Sequence, residues 1–326
     1  MTAGSVRTGV AAAARCLALD QHAATVLTGL AGLDIPAVLL KGPGLAQRFY
    51  ANAPERRRYS DVDILVAPAD FDRAETLLAA LGHVDSTAAF PRDEWLWHER
   101  HWIHPAAGDL NVDLHRSFSG VADAQGFWDT VSATSVPLDL CGVTVQVPGL
   151  VASAMLVGLH AAAPGQTTKP VTDLVAALGQ VPDAVWEEAG RLARCVGAEA
   201  AFVAGLRRVP AGVVVADRLS PQLGLGSTRG WISRLDLVLL ARSLDALRTV
   251  PGVRAKVRFA RRRMFPSAAF LASHHPLAAK GPAGLTLAYL LRPLRLLRPA
   301  RNETSAHERL AAAVRSRRSG GGSSRR

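Results

Sequence analysis

Residues 55–68 read ERRRYSDVDILVAP: an arginine cluster, two aspartates one residue apart, an apolar β-branched run and a closing proline. The run ILV behind the aspartates, stopped at Pro68, predicts a strand. Side chains at i and i+2 of a strand share a face, so Asp61 and Asp63 point the same way, a few ångströms apart. Like charges that close repel unless a cation lies between them. Mg²⁺ is the hard cation that carboxylates and phosphate oxygens hold together. An isolated Asp-x-Asp is most simply a pair of solvated turn carboxylates, so its surroundings have to decide.

Upstream, residues 35–44 read IPAVLLKGPG and run into LAQRFY. This predicts a short strand, Ile35 to Leu40, then a Lys-Gly turn, then a helix. Free backbone N–H groups and the positive helix end at such a turn favour phosphate. Pro43 has no N–H, so Gly42 and Gly44 would be the backbone donors, with Lys41 adding a direct charge. The spacing is not that of a P-loop, and a plain tight turn is the other reading. Downstream, residues 110–118 read LNVDLHRSF, a second strand with mixed faces that offers Asp113 as a third carboxylate.

The rest of the chain frames these segments. Apolar residues at helical spacing up to Gly32 predict one or two helices. Residues 69–82 predict an amphipathic helix with Asp70 as N-cap and Gly82 as the residue that ends it. Residues 95–103 suit a strand whose tryptophans (Trp95, Trp97, Trp102) are core rather than a stacking platform. Residues 136–149 predict a hairpin turning at Cys141-Gly142. After Pro148 the pattern becomes helical, with segments at 150–163, 169–179 and 182–197.

The chain is expected to divide into a core with N-terminal helices (1–148), a helical domain (149–224), a basic, mainly helical region (225–313) and a disordered low-complexity tail (314–326).

With 49% hydrophobic and 20% charged residues in 326, the composition is that of a folded protein with a substantial core. The formal charge of +11 is unevenly placed. Residues 241–326 hold 19 Lys/Arg against 3 Asp/Glu, a net +16, which leaves the first 240 residues at −5. The basic region therefore suits an anionic partner: nucleic acid, anionic lipid or an acidic protein. Three scattered cysteines (Cys16, Cys141, Cys195) form neither a disulfide framework nor a zinc site, and they fit a cytoplasmic location. No uninterrupted apolar run suggests a transmembrane segment. His274-His275 read as surface residues.

The order LLKGPGLAQRFY, ERRRYSDVDILV, VDLH resembles the DNA polymerase β-type nucleotidyltransferase superfamily. More narrowly it resembles an uncharacterised nucleotidyltransferase family found in bacterial genomes, over roughly Ile35 to Asp173. The resemblance implies an α+β fold: a polymerase β-like core, a mixed sheet flanked by helices, followed by a helical domain. It implies that Asp61, Asp63 and Asp113 bind metal, two Mg²⁺ ions, and carry catalysis. Lys41, Gly42, Gly44 and Arg57 would face the triphosphate of an NTP, ATP first among them. His115, His160 and Asp173 match the family pattern as supporting residues, with helix packing as the alternative for the last two. The superfamily turn has Gly-Ser where this chain has Gly42-Pro43, which removes a serine hydroxyl from the phosphate.

The reading that follows is a Mg²⁺-dependent enzyme moving a nucleoside monophosphate from an NTP to an acceptor and releasing pyrophosphate. The acceptor could be a small molecule, peptide, protein or tRNA. The alternative is a non-catalytic module of the same fold that engages nucleic acid or a partner peptide through its basic end.

Overall fold

The computed structural model describes residues 3–52, 57–86, 98–106, 110–163, 168–219, 252–265, 268, 271, 277–292 and 294. Arg56, Trp95, Trp97, His274, His275, Arg295, Arg298 and the 314–326 tail lie outside the described residues.

The first half runs α1 (Ala3–Ala31), β1 (Ala37–Leu39), α2 (Pro43–Phe49) and β2 (Asp61–Val66). A 3₁₀ turn (Pro68–Asp70) leads to α3 (Phe71–Ala80), then β3 (Val84–Asp85), β4 (Glu99–Ile103) and β5 (Asn111–His115). After α4 (Ala124–Ala133) comes the hairpin of β6 (Val136–Leu140) and β7 (Val143–Val147). Helices follow: α5 (Leu150–Ala161), α6 (Thr168–Leu178), α7 (Asp183–Cys195), α8 (Glu199–Leu206) and α9 (Pro210–Leu219). Further on are α10 (Val253–Met264), a 3₁₀ turn (Ala278–Lys280) and α11 (Pro282–Leu290).

The fold is α+β. Its five-stranded sheet has the order β1-β2-β5-β4-β3, with β2 and β5 parallel and the other neighbours antiparallel. A parallel pair needs a crossover, and α3 with β3 and β4 lies between β2 and β5 in the chain. Alternation sorts the central strands into two faces. Val62, Ile64, Val112, Leu114 and Trp102 are buried on one of them. The opposite face carries the carboxylates.

Local chemistry explains the element ends. Cys141 (φ 54°) and Gly142 (φ 80°) are both left-handed at the tip of the β6–β7 hairpin, the backbone that a two-residue hairpin turn demands. Gly82, at φ 88°, ends α3 as expected. Asp70 precedes α3 but does not cap it; its carboxylate accepts from Arg73 Nη1 at 2.6 Å instead. Asp123 is a true cap, accepting from the Gly126 N–H at 2.9 Å.

In the helical layer α5 is buried along Ala152–Leu159 and packs on α6, α7 and α8. Its approach to α8 is backbone to backbone: a Cβ on Gly205 would sit 1.8 Å from the Gly158 carbonyl oxygen. Trp186 of α7 and Phe202 of α8 stack at 6.3 Å.

The described residues up to Asp85, from His98 to Ala163 and from Thr168 to Leu219 belong to one compact unit. Gly149, the residue before α5, lies inside it, and its N–H bonds the Thr134 carbonyl. A second unit contains α10 and α11, with a small core of Leu271, Ala278 and Ala288. Among the described residues no helix is long and apolar enough to cross a membrane, and all three cysteines are free.

Candidate active site

Strand register brings the acidic residues together. In the parallel β2–β5 pair Asp63 lies opposite Asp113, and Asp61 opposite Asn111. In the antiparallel β5–β4 pair Asp113 lies opposite His101, and His115 opposite Glu99. Strand partners share a face, as do residues two apart, so Asp61, Asp63, Asp113, His115, His101 and Glu99 occupy one face of three adjacent strands.

Each carboxylate has its own surroundings. Asp63 is buried and held by two groups, Lys41 Nζ at 2.5 Å and His115 Nε2 at 3.1 Å. Burial alone would raise its pKa; Lys41 and His115 outweigh that and hold it well below the usual carboxylate range. Burial likewise opposes the charge on Lys41, yet Asp63, Asp61 and Glu99 raise its pKa above the ordinary lysine value. Asp61 is the strained member. Burial and the like charges of Asp63 and Asp113 push it up to about 6, against Lys41 and Lys169. Its hydrogen-bond partner among the described residues is the Ser60 hydroxyl at 3.4 Å.

Asp113 pairs with His101 Nδ1. Burial disfavours a charged His101, but the Asp113 charge and hydrogen bond, with Glu99 and Asp61, raise it to about 9. His115 is wholly buried, and its Nδ1 lies 3.4 Å from Glu99 Oε2 without hydrogen-bond alignment. Burial would also raise Glu99, but His98, His115 and Lys41 lower it to about 2.

Three carboxylates on one face are the donor type that Mg²⁺ prefers. Yet among the described residues no three His, Cys, Asp or Glu side chains converge tightly enough to hold an ion as they stand. Lys41 on Asp63 and His101 on Asp113 account for this: two protein cations already sit against the carboxylates. Asp61, Asp63 and Asp113 share this face by register, and an ion there would have to draw carboxylate oxygens away from Lys41 and His101.

The Lys-Gly turn is built by Gly42, whose φ of 64° and ψ of −122° only glycine adopts without strain. Pro43 opens the seven-residue α2, where a missing N–H costs nothing. Gly44 is buried, and a Cβ there would press on Val147 at 3.2 Å. Its lack of a side chain serves packing on β7.

Arg57 has partners other than a triphosphate. Its Nε and Nη2 fork onto the two oxygens of Asp173 at 3.1 and 2.9 Å, while Nη1 donates to the Gly42 carbonyl at 3.0 Å. Tyr50 adds a hydroxyl to Asp173 at 2.9 Å. Arg57 and Asp173 are therefore a buried clamp tying α6 to the Lys-Gly turn. Arg57 was expected to face phosphate; three of its five N–H donors are taken up by Asp173 and the Gly42 carbonyl.

Phe118 organises the remaining groups. Its ring stacks on His115 at 5.7 Å, lies 5.5 Å from Lys41 Nζ and meets His160 edge-on at 6.3 Å. His160 from α5 has a buried Nδ1 with no hydrogen-bond partner. Burial, then Lys41, lowers its pKa well below the ordinary histidine value, with Asp63 opposing and Lys169 and Arg57 adding to the effect.

Sequence reasoning missed Glu99, His101, Phe118 and Lys169. The alternation in ERHWI, 99–103, was the available signal for the first two, but only the pairing with 111–115 reveals which face they share. Lys169 sat in a recognised helical segment, with nothing local to mark it as a neighbour of Asp61.

The model of a family described as uncharacterised nucleotidyltransferase matches residues 7–211. Among curated proteins no relative matches the sequence. Among solved structures, the antibiotic-resistance factor ANT(2'')-Ia aligns at a TM-score of 0.38 and 14% identity, over 57% of this chain and 90% of that one. An antigenic nucleotidyltransferase-like protein from Paracoccidioides brasiliensis aligns at 0.37 and 14%, over 61% and 92%.

Proposed function

Because this chain belongs to the uncharacterised nucleotidyltransferase family, we propose that it transfers a nucleoside monophosphate from an NTP, ATP first among candidates, to an acceptor and releases pyrophosphate. The observation that carries this reading is the β2–β5 register, with Asp63 beside Asp113 and Asp61 on the same face. Asp61, Asp63 and Asp113 would hold Mg²⁺. When bound, Mg²⁺ supplies charge neutralisation on the triphosphate and activation of the attacking oxygen.

The chain's own groups have separable tasks. Lys41, leaving Asp63, would pair with phosphate oxygens and neutralise charge as pyrophosphate departs. Asp113 would take the acceptor's proton as its oxygen bonds to the α-phosphorus and the bond to pyrophosphate breaks. His101 orients Asp113, and His115 orients Asp63. Gly42 sets the turn, and the Arg57–Asp173 clamp holds it in register with α6. Catalysis of this kind relies on positioning and electrostatics, so the missing turn serine at Pro43 removes one contact and leaves the carboxylate face intact.

The test is pyrophosphate release from each NTP with host-cell extract as acceptor source. The wild type should release it only with Mg²⁺, and the Asp61→Asn/Asp63→Asn variant should release none. Equal release by that variant would remove the proposal, and NTP binding without release would favour a non-catalytic module.

A further inference from the structure

The second unit carries a helix whose surface is unlike that of a buried bundle helix. α10, VRAKVRFARRRM, has six Lys/Arg in 12 residues and no acidic residue. At 100° per residue, Val253, Val257, Ala260 and Met264 fall on one narrow stripe. Arg254 and Arg261 border it on one side and Lys256 on the other. In an ordinary surface helix such a stripe faces the core. Here most of it faces outward: Val253 is 77% exposed and Val257 62%, Ala260 is exposed and Met264 half-buried, and Phe265, just past the helix end, is 64%. α11 shows the same habit in the same unit, with Leu290 71% exposed.

We propose that α10 is a membrane-surface helix that lays its valine stripe into the interface of an anionic bilayer, its arginines reaching the headgroup phosphates. Charge complementarity selects an anionic partner. The outward apolar stripe selects lipid over nucleic acid, because a phosphate backbone satisfies arginines but gives exposed valines nothing to be buried in. Twelve residues span about 18 Å, too short to cross a bilayer and long enough to lie along one. The inference stands on α10 alone and is independent of the transfer reaction.

The experiment is flotation of the full chain with phosphatidylcholine vesicles, with and without phosphatidylserine, at low and high salt. Binding is expected only with phosphatidylserine and should weaken with salt. Arg254→Gln and Arg258→Gln should each weaken it about fivefold. Val253→Ser with Val257→Ser keeps every charge and should weaken it by roughly tenfold or more. All four positions are exposed, so circular dichroism should be unchanged in these variants. A Phe265→Trp reporter should shift its emission to the blue on anionic vesicles. Absence of flotation would overturn the proposal. So would flotation indifferent to the two valines, or single-stranded RNA held as tightly as the vesicles by wild type and valine variant alike, which would mark a nucleic-acid surface.

Discussion

Arg57 and Asp173, 116 residues apart, form a two-bond fork with both side chains about 2% exposed. The pair joins the segment before β2 to α6, and through Gly42 it also fixes the turn that presents Lys41.

Breaking this fork from one side should be costly. Asp173→Ala leaves a guanidinium buried and uncompensated, for an expected loss of about 3–5 kcal/mol. Arg57→Lys keeps the charge but cannot reproduce the fork or the third bond to Gly42, so a smaller loss is expected. Urea unfolding should rank the wild type above Arg57→Lys and Arg57→Lys above Asp173→Ala. Equal midpoints for all three would show that the clamp bears no load.

The α5–α8 contact leaves no room for a methyl group. Gly205→Ala would place Cβ 1.8 Å from the Gly158 carbonyl oxygen and 2.8 Å from its carbon, backbone atoms that cannot rotate away. The helices must part, and about 2–3 kcal/mol of stability should go with that shift. Thermal melting reads the change directly, and an unaltered melting temperature would mean the helices are not packed this closely.

Much of this arrangement is legible in the sequence because it depends on local pattern. β2, the Lys-Gly turn, the β6–β7 hairpin tip and the helices after Gly149 all follow from apolar runs, glycines and prolines close in the chain. The expected face-sharing of Asp61 and Asp63 needs only the two-residue period of a strand. Asp113 on that same face was an expectation of a different kind, since it depends on which strands pair and in what register. The roles that went unread are long-range. An arginine beside Asp-x-Asp suits phosphate, and nothing local reveals that Asp173, 116 residues away, is its partner in the fold. Glu99 and His101 acquire meaning only through the β4–β5 register.

A histidine pair away from the carboxylates should make stability depend on pH. His83 Nδ1 donates to the Leu78 carbonyl at 3.1 Å, so its Nε2 is the bare acceptor for the Nε2–H of His22 at 2.9 Å. The His83 ring is therefore neutral in the fold. Burial, then the charges of His22 and His104, lowers His83 to about 4, and burial lowers His22 as well. Above the ordinary histidine value near 6.5, neither folded nor unfolded chain binds the proton and stability is whole. As pH falls from there toward 4, the unfolded chain takes up protons that the fold refuses, and stability drops. Between pH 7 and 5 the wild type should lose roughly 1 kcal/mol more than His83→Asn, whose amide can still reach Leu78. Parallel curves for the two in urea titrations would contradict this tautomer assignment.

The three carboxylates should reveal their purpose by opposing effects on stability and binding. Asp61 is crowded by Asp63 and Asp113, so Asp61→Asn relieves repulsion and should raise stability without Mg²⁺ by about 1 kcal/mol. Adding Mg²⁺ and ATP at a hundredfold over their dissociation constant should stabilise the wild type by about 2.7 kcal/mol. That gain should vanish in Asp61→Asn. Lys41→Met should separate the two ligands, keeping the response to Mg²⁺ alone while weakening the response to ATP, because its ammonium is proposed to meet phosphate. Thermal shifts on the three proteins, with Mg²⁺ alone and with Mg²⁺ and ATP, give the full comparison. An Asp61→Asn protein that gains as much as the wild type would leave the cluster a structural feature of the sheet.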